Sequence, residues 1–505
     1  MLPGRNENKL KIKEKIEQNK WEFIITIIYG IITFIIAIIF HEKWRDEAQA
    51  WMIARDLDII GIIKQMAYEG HPPLWHFILF PFAKLGFPYI TQSIISWIIM
   101  VFSAWLLLTK SPFRIETKIL ILLSAPVLYW YTACSRSYCL IFLAISLIAI
   151  FYPQRKEKPV QYSLSILLLA YTHVLMLGVV GILYLFFFID QLIYLKKLKA
   201  NAKKTIIAFS IAVIGLWLLV LMLMGSINTN KEVYSTSIFS INANSIFSLI
   251  EKIQYEFFGA INISKGFQIY FGLGIIITLI WLGIENIENM LILVIGVAWQ
   301  LYIYLMIYGT SVEKSSTLIF IAILVFWITL NSNKKENERL KRMKQIVICL
   351  GIIFLSLNSM EGISKISADI NGSFSYSKEA AQYIKNNIDK DAIFVCTENF
   401  SSSAIIPYVD NMKLWNPNTD EYFTYVTWDG ISNKYLPIEE IIQKAKRNFN
   451  KGEKVYLIES IQTNIKDKEK IAELQTENVI SKELYKSEKA AIAKEEQYII
   501  YKINL

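Results

Sequence analysis

The residues best suited to chemistry lie in one stretch, from His41 to Trp75. It carries two adjacent carboxylates, Asp46 and Glu47, and a second polar group, the segment EGHPP at 69–73. A carboxylate can take a proton from a hydroxyl, and a histidine can bind a phosphate and share a proton near neutral pH. Because the stretch directly follows a long apolar run, we predict a cluster of catalytic groups at a membrane surface.

Each of these groups also has a purely structural interpretation. Asp46 with Gln49 three residues later fits a capping box at the start of a helix. On a helical wheel, however, the carboxylates of Asp46 and Glu47 face protein and not water. The segment around Glu69 and His71 fits a turn whose prolines begin the next helix. A turn does not explain a carboxylate and an imidazole at a membrane interface. We therefore predict that Glu69 binds substrate and that His71 binds a phosphate.

Two further polar motifs stand at the ends of apolar runs. Arg136 lies in CSRSY and His173 lies in YTHVL. An arginine at a span end commonly reaches lipid headgroups, but such residues favour the inner side, and Arg136 falls on the predicted outer side. An anionic partner would explain this position. A single buried histidine is more often a packed core residue. We predict that Arg136 binds an anion.

The composition indicates a membrane protein with many spans. The chain has 505 residues, 54% of them apolar, and a mean hydropathy of +0.38. The apolar residues form runs of about 15–22, the length that crosses a bilayer as a helix. The net charge of +9 lies in short loops between the runs, which indicates membrane orientation and disfavours a nucleic-acid partner. The four cysteines form no CxxC pair, which disfavours metal and disulfide interpretations.

Basic loops place the N-terminus and alternate loops on the cytoplasmic side. We predict about eleven spans, at 22–40, 88–108, 119–133, 138–152, 161–175, 177–195, 205–224, 267–284, 290–308, 316–330 and 345–358. The first span lacks a cleavage site and is expected to be a retained anchor. The loop at 41–87 is then outside, with one amphipathic helix along its surface and a second, half-embedded helix from Pro73 to Leu85.

The segment after residue 360 has a different character. Helical patterns at 377–388 and 437–449 alternate with strand patterns at 391–398, 454–460 and 496–505. We predict a transmembrane α-helical domain at 1–359 and an extracytoplasmic α/β domain at 360–505. The aromatic residues of EYFTYVTWDG, which starts at Glu421, either stack on a sugar or pack in a core, and core packing is the more common role.

Taken in order, these motifs resemble those of the GT-C superfamily of membrane glycosyltransferases. The resemblance is to the branch of protein O-mannosyltransferases and aminoarabinose transferases, within bacterial glycosyltransferase family 39-like proteins. The pair DE at 46–47 resembles the acidic pair of the first outer loop, and HPPL at 71–74 resembles the HPPL and KPPL motifs. The motif SRSY at 135–138 resembles the arginine motif after span three, and YTH at 171–173 resembles the motif that closes span five.

The resemblance covers about residues 20–200 well and has two departures. Tyr138 and Cys139 stand where many members carry an acidic residue, and EKSS at 313–316 occupies the region of an RYLLP-like segment. The similarity implies a polytopic all-α membrane domain with amphipathic juxtamembrane helices and an α/β domain after it.

The implied activity is an inverting transfer of a hexose or pentose on the outer face of the plasma membrane. The donor would be a sugar on a polyprenyl-phosphate carrier, and the acceptor a lipid, a glycan or a protein. Asp46 would act as the base with Glu47 beside it, and His71 and Arg136 would bind the donor phosphate and balance its charge as it leaves. Glu69, Tyr138 and His173 would bind substrate. The resemblance implies no certain cofactor and leaves open a divalent cation. Membrane lipids are expected partners.

Two other classes of protein fit part of the pattern. A transporter or flippase also needs charged groups in the membrane, but it usually shows inverted repeats and helices broken at mid-depth. We find neither pattern in the sequence, and the charged groups cluster toward one face. A non-catalytic scaffold whose outer domain binds a partner is the third option, and a fully functional Asp46→Asn variant would favour it.

Overall fold

The computed structural model describes residues 20–197, 202–224, 243–261, 265–332, 337–460, 465–489 and 491–505. Its described residues are mostly α-helical, and they divide into two compact units. The first unit contains the chain up to Ile39, Ser93–Leu218 and the helices that lead to Lys365. The second contains Phe40–Gln92 and Ile366–Leu505.

The first unit is built mainly from apolar helices. Among the described residues, seven helices are long and apolar enough to cross a membrane: Lys20–Phe40, Thr91–Lys110, Val174–Ile193, Ala202–Leu223, Ile287–Met306, Val312–Leu330 and Glu338–Asn371. Shorter apolar helices are Cys139–Gln154, Pro159–Ala170 and Tyr270–Glu285. The mainly helical, multi-span architecture is therefore confirmed, whereas a count of eleven spans stays a prediction.

The third predicted span, 119–133, is not one continuous helix. A helix over Ile115–Leu123 ends before a π-helical turn at Pro126–Trp130. Proline has no N–H to donate and its ring crowds the preceding turn, so the regular helix stops there. The backbone N–H of Ala125 donates instead to Asn358 Oδ1 at 3.0 Å.

The last predicted span, 345–358, is the middle of a much longer helix. This helix runs over 34 residues, Glu338–Asn371, and so continues through the predicted domain boundary at 359/360. Its later part makes specific contacts, because Glu361 accepts a hydrogen bond from Ala260 N at 2.6 Å and pairs with Lys365 at 3.2 Å. The division into domains at 1–359 and 360–505 stays a prediction.

The first outer loop of the sequence analysis folds as three helices, Arg45–Asp56, Ile59–Glu69 and Leu74–Lys84. The first and third were predicted, and the second was not. The second begins where Asp58 Oδ1 accepts a hydrogen bond from Gly61 N at 2.6 Å. It ends at Gly70, whose φ of 65° is the left-handed conformation that glycine adopts without strain.

The C-terminal part of the second unit is a six-stranded mixed sheet with helices. Its strands are β1 (Ile393–Cys396), β2 (Leu414–Asn416), β3 (Glu421–Phe423), β4 (Val455–Ser460), β5 (Tyr485–Lys486) and β6 (Tyr498–Ile503). Their order is β3-β2-β1-β4-β6-β5, and β1 pairs in parallel with both β2 and β4.

The three predicted strands correspond to β1, β4 and β6, and the two predicted helices are Ser377–Asn387 and Ile438–Asn448. The remaining strands were not predicted, nor were the helices Asn399–Ser402, Ser403–Tyr408 and Ile465–Thr476. Buried apolar side chains such as Val395, Leu457 and Ile441 form the core between the sheet and its helices.

Candidate functional site

Asp46 and Glu47 stand in the first turn of the helix Arg45–Asp56, after the N-cap residue Trp44. The alternative interpretation of Asp46 as the N-cap therefore does not hold, because the N-cap lies two positions earlier. Glu47 takes part in the capping instead, because its Oε2 accepts a hydrogen bond from Trp44 N at 3.2 Å. The Asp46 side chain is 27% exposed and that of Glu47 is fully buried, so water and small molecules reach Asp46 more easily.

Glu47 belongs to a buried group that we call the His41 cluster, formed by His41, Glu47 and Asp369. His41 Nε2 lies 3.1 Å from Glu47 Oε2, and His41 Nδ1 lies 2.9 Å from Asp369 Oδ2. A neutral imidazole has one N–H, so it can donate to only one of two carboxylates. With both carboxylates ionised, His41 satisfies both only as the doubly protonated cation.

The start of the same helix is also bound by the C-terminal segment. Glu496 Oε1 accepts a hydrogen bond from Arg45 N at 2.9 Å, and the Arg45 guanidinium pairs with Glu495 at 2.6 Å. Arg45 Nε lies 3.5 Å from Asp46 Oδ1. Glu495 and Glu496, which are far from this helix in sequence, therefore bind Arg45, the residue before Asp46.

The burial of Glu496 predicts a pH dependence of stability. Burial raises the pKa of its carboxyl from an ordinary value of 4.5 to about 8, against the hydrogen bonds from Ser375 and Arg45, which lower it. The folded state therefore binds more protons than the unfolded state between these pH values. The free energy of unfolding should fall as the pH rises from about 4.5 to about 8.

Glu496→Gln should flatten this pH dependence, measured as the apparent Tm of the purified protein across that range. The exposed Glu477→Gln serves as a control that keeps the original slope. An unchanged slope in Glu496→Gln would show that other groups produce the dependence.

Glu69 holds two helices together in this structure. Its Oε1 accepts hydrogen bonds from Gln49 Nε2 at 2.7 Å and from Gln65 Nε2 at 3.0 Å. Gln49 also bonds the backbone of Val426 through both ends of its amide. His71 follows the left-handed Gly70 and is half-buried. The binding roles predicted for Glu69 and His71 stay predictions.

The other predicted residues form a second group, in the first unit, which we call the Arg136 cluster: Arg136, Tyr138, His173 and Glu313. The Tyr138 ring stacks on His173, and Tyr138 Oη lies 3.1 Å from His173 Nε2. His173 Nδ1 accepts a hydrogen bond from Leu175 N at 3.2 Å. A neutral His173 therefore carries its proton on Nε2 and donates it to the tyrosine oxygen.

Arg136 lies against the Tyr138 ring, with its Cζ 5.2 Å from the ring centroid. Its Nη1 is 3.7 Å from Glu313 Oε1, a distance longer than a hydrogen bond. The backbone oxygen of Glu313 accepts a hydrogen bond from Tyr131 at 2.7 Å. The SRSY and YTH motifs thus meet, together with the EKSS segment that stands where the sequence analysis expected an RYLLP-like motif.

Sequence reasoning missed His41, Asp369 and Glu496. His41 is the first residue of the predicted loop at 41–87 and lies six residues before Glu47, a spacing that gave no sign of contact. Asp369 and Glu496 lie 328 and 451 residues from their partners in this region. No local pattern connects residues at that separation.

Among the described residues, no group of three or more His, Cys, Asp or Glu side chains is arranged to hold a metal ion. The divalent cation that the sequence analysis left open stays untested.

Comparison with known proteins identifies the fold. No protein-family model matches the chain, and no curated protein matches it. Two solved structures of ArnT from Cupriavidus metallidurans are similar to it, one bound to undecaprenyl phosphate and one in the apo state. Both have a TM-score of 0.53 at 9% sequence identity. The first covers 96% of this chain and 98% of its own, and the second 97% and 98%.

This similarity extends over nearly the whole chain, so the protein has the fold of these ArnT structures. The resemblance that rested on four short motifs is thereby confirmed at the level of the fold.

Proposed function

We propose that this protein is an integral membrane glycosyltransferase that moves a sugar from a polyprenyl-phosphate carrier to an acceptor on the outer face of the membrane. One observation carries the proposal: the chain shares the fold of ArnT over nearly its whole length, and one of those ArnT structures is bound to undecaprenyl phosphate. The motifs of the GT-C branch occur in this chain in the expected order, which supports the same activity.

In the proposed reaction, Asp46 takes the proton of the acceptor hydroxyl. The acceptor oxygen forms a bond to the anomeric carbon of the sugar, and the bond from that carbon to the phosphate oxygen breaks. The electron pair leaves with polyprenyl phosphate, and attack from the opposite side inverts the configuration. The exposure of Asp46 supports its role as base, whereas the burial of Glu47 favours a supporting role within the His41 cluster.

Arg136 and His71 are assigned to the phosphate of the donor. A cation stabilises the charge that grows on the leaving phosphate. The closest approach of Arg136 to Glu313 is 3.7 Å, too long for a hydrogen bond. Arg136 lies against the Tyr138 ring, and this ring stacks on His173. We assign Tyr138 and His173, with Glu69, to substrate binding.

Arg136→Ala should weaken the use of the donor by about tenfold to a hundredfold, because a charge-assisted hydrogen bond contributes about 1.5–3 kcal/mol. Arg136→Lys keeps the charge but loses the planar guanidinium, so it should retain part of the activity. Initial rates should be measured while donor and acceptor are titrated separately. A defect confined to acceptor affinity would contradict the assignment of Arg136 to the donor.

The proposed carrier can be tested by binding alone. Undecaprenyl phosphate added to the purified protein in detergent should raise its apparent Tm in a concentration-dependent way, because a ligand of the folded state stabilises it. Undecaprenol, which lacks the phosphate, should stabilise it less, and Arg136→Ala should reduce the difference between the two lipids. Equal stabilisation by both lipids would contradict recognition of the phosphate.

The proposal places the first loop and the C-terminal α/β region on the outer face of the plasma membrane, and the N-terminus in the cytoplasm. In a cysteine-free background, single cysteines at positions 64 and 450 should react in intact cells with an impermeant thiol reagent. Cysteines at 199 and 339 should react only after permeabilisation. Position 199 lies outside the described residues. Protection at 450 together with labelling at 64 would contradict this topology.

A further inference from the structure

A cavity of about 120 Å³ lies beside the C-terminal ends of β1 and β2. Its walls include Thr397 and Glu398, which follow β1, and Pro417 and Asn418, which follow β2. The parallel strand β1 has β2 on one side and β4 on the other. After β1 the chain first forms β2 on one side of it and later forms β4 on the opposite side, so the strand order reverses at β1. Ligands of open α/β sheets bind at such a switch point, outside the carboxyl ends of the strands.

The third wall of the cavity is the loop that contains residues 433–436, and three asparagine side chains bond the start of this loop. The side chains of Asn399, Asn416 and Asn418 all donate to the backbone oxygen of Ser432, at 2.6, 3.0 and 3.3 Å. The carboxylate of Asp429 accepts hydrogen bonds from the backbone N–H of Ser432 and from its hydroxyl, the latter at 2.9 Å. Two other segments, at Asn399 and at 416–418, therefore bond this loop through the backbone oxygen of Ser432.

The lining offers both acceptors and donors. Asn433 lies in the wall with its Nδ2 bonded to Thr427 O at 2.6 Å, and its buried Oδ1 has no hydrogen-bond partner among the described residues. Glu398 contributes a carboxylate that also accepts a hydrogen bond from Ser401 at 3.3 Å. The exposed Lys434 and Tyr435 border the cavity and supply an ammonium group and an aromatic ring.

We infer that this cavity binds one neutral sugar residue of a glycan. Sugar hydroxyls donate and accept hydrogen bonds, which matches a lining with a carboxylate, an amide oxygen and an ammonium group. The apolar face of a sugar ring packs on an aromatic side chain, which Tyr435 supplies at the rim. The volume is small for a nucleotide, and the Glu398 carboxylate repels a phosphate group. The site is independent of the transfer reaction, because binding needs none of the residues assigned to catalysis.

The test is direct binding of sugars to the purified full-length protein in a detergent without a sugar headgroup. The probes are the methyl glycosides of glucose, galactose, mannose, N-acetylglucosamine and arabinose. Their binding is measured by saturation-transfer NMR at glycoside concentrations up to about 10 mM. At least one should bind, with a Kd on the order of 1 mM. Glu398→Gln and Tyr435→Ala should each weaken this binding at least about tenfold, or about 1.4 kcal/mol.

Two control variants make the outcome specific. The exposed Glu421→Gln, on β3, should leave binding unchanged, and so should Asp46→Asn, which would remove transfer without touching this cavity. The inference is overturned if none of the glycosides binds, if both cavity variants bind as the wild type does, or if inorganic phosphate displaces the glycoside. Loss of transfer with retained sugar binding separates this inference from the proposed function.

Discussion

Replacing Asp46 by asparagine should reduce sugar transfer by roughly 10²–10⁴-fold, the contribution typical of a general base. The amide cannot take a proton from the acceptor hydroxyl. The substitution preserves the shape of the side chain, and Asp46 does not cap its helix, so the structure should tolerate it. The favourable interaction of the carboxylate with the helix N-terminus contributes only about 0.3–1 kcal/mol. Transfer should be measured with purified protein, together with the apparent Tm.

Asp56→Asn is the matched control, because Asp56 lies at the other end of the same helix and is similarly exposed. It should leave the rate of transfer near the wild-type value. Glu47→Gln should have a milder effect on transfer than Asp46→Asn, because the amide can still accept the hydrogen bond from Trp44 N. An Asp46→Asn variant with full transfer activity would refute the role of Asp46 as base and favour a structural role for this residue.

Removing His41 should have the largest effect on stability. His41→Ala leaves the carboxylates of Glu47 and Asp369 buried without the ring that lies between them. Breaking a buried ionic group by removing one partner costs about 3–5 kcal/mol. The expected result is a clear fall in apparent Tm, measured by fluorescence during heating, with a matching rise in the rate of irreversible inactivation.

Two variants test whether the charge of the cluster causes this loss. Combining His41→Ala with Asp369→Asn removes one of the two buried carboxylates, so the double variant should be more stable than His41→Ala alone. Lys341→Ala, on the same long helix as Asp369, removes an exposed contact with Glu338 and should have a small effect. A Tm of His41→Ala equal to that of the wild type would contradict the ionic interpretation of the cluster.

The parts of the fold that could be predicted are those with a strong local pattern. Long apolar runs gave the membrane helices, because about 20 apolar residues in a row have few alternatives to a helical span. The strands β1, β4 and β6 were predicted because they are long apolar runs rich in β-branched and aromatic residues. The strands β2, β3 and β5 have only three, three and two residues, too few for a periodic pattern.

The boundaries were less predictable than the elements. Pro126 divides the third predicted span, and proline within an apolar run is a signal that sequence reasoning could have used. The extension of the last helix to Asn371 had no such signal, because its polar residues after 358 are ordinary for a helix in water. The hydrogen bond from Ala260 N to Glu361 stabilises that extension, and it joins residues 101 apart in sequence.

The residues of the candidate site also divide into those that the sequence indicated and those that only the structure shows. Asp46, Glu47, Arg136 and His173 were found because unusual residue types stand beside apolar runs. The residues that hold them were not found, because Asp369, Glu496 and Glu313 reach their partners only through the tertiary fold. Sequence therefore indicated which groups could react, and the structure added which groups orient them.

The measurement that tests the central claim most directly is the polyprenyl-linked lipid profile of the cell that makes this protein. Lipids should be extracted from cells without the protein, from cells with the wild type, and from cells with Asp46→Asn at equal protein level. A specific polyprenyl-phosphate sugar should accumulate in the first and third extracts and fall in the second, and its identity would name the donor. The same lipid profile in all three extracts would contradict a transferase that consumes this class of donor.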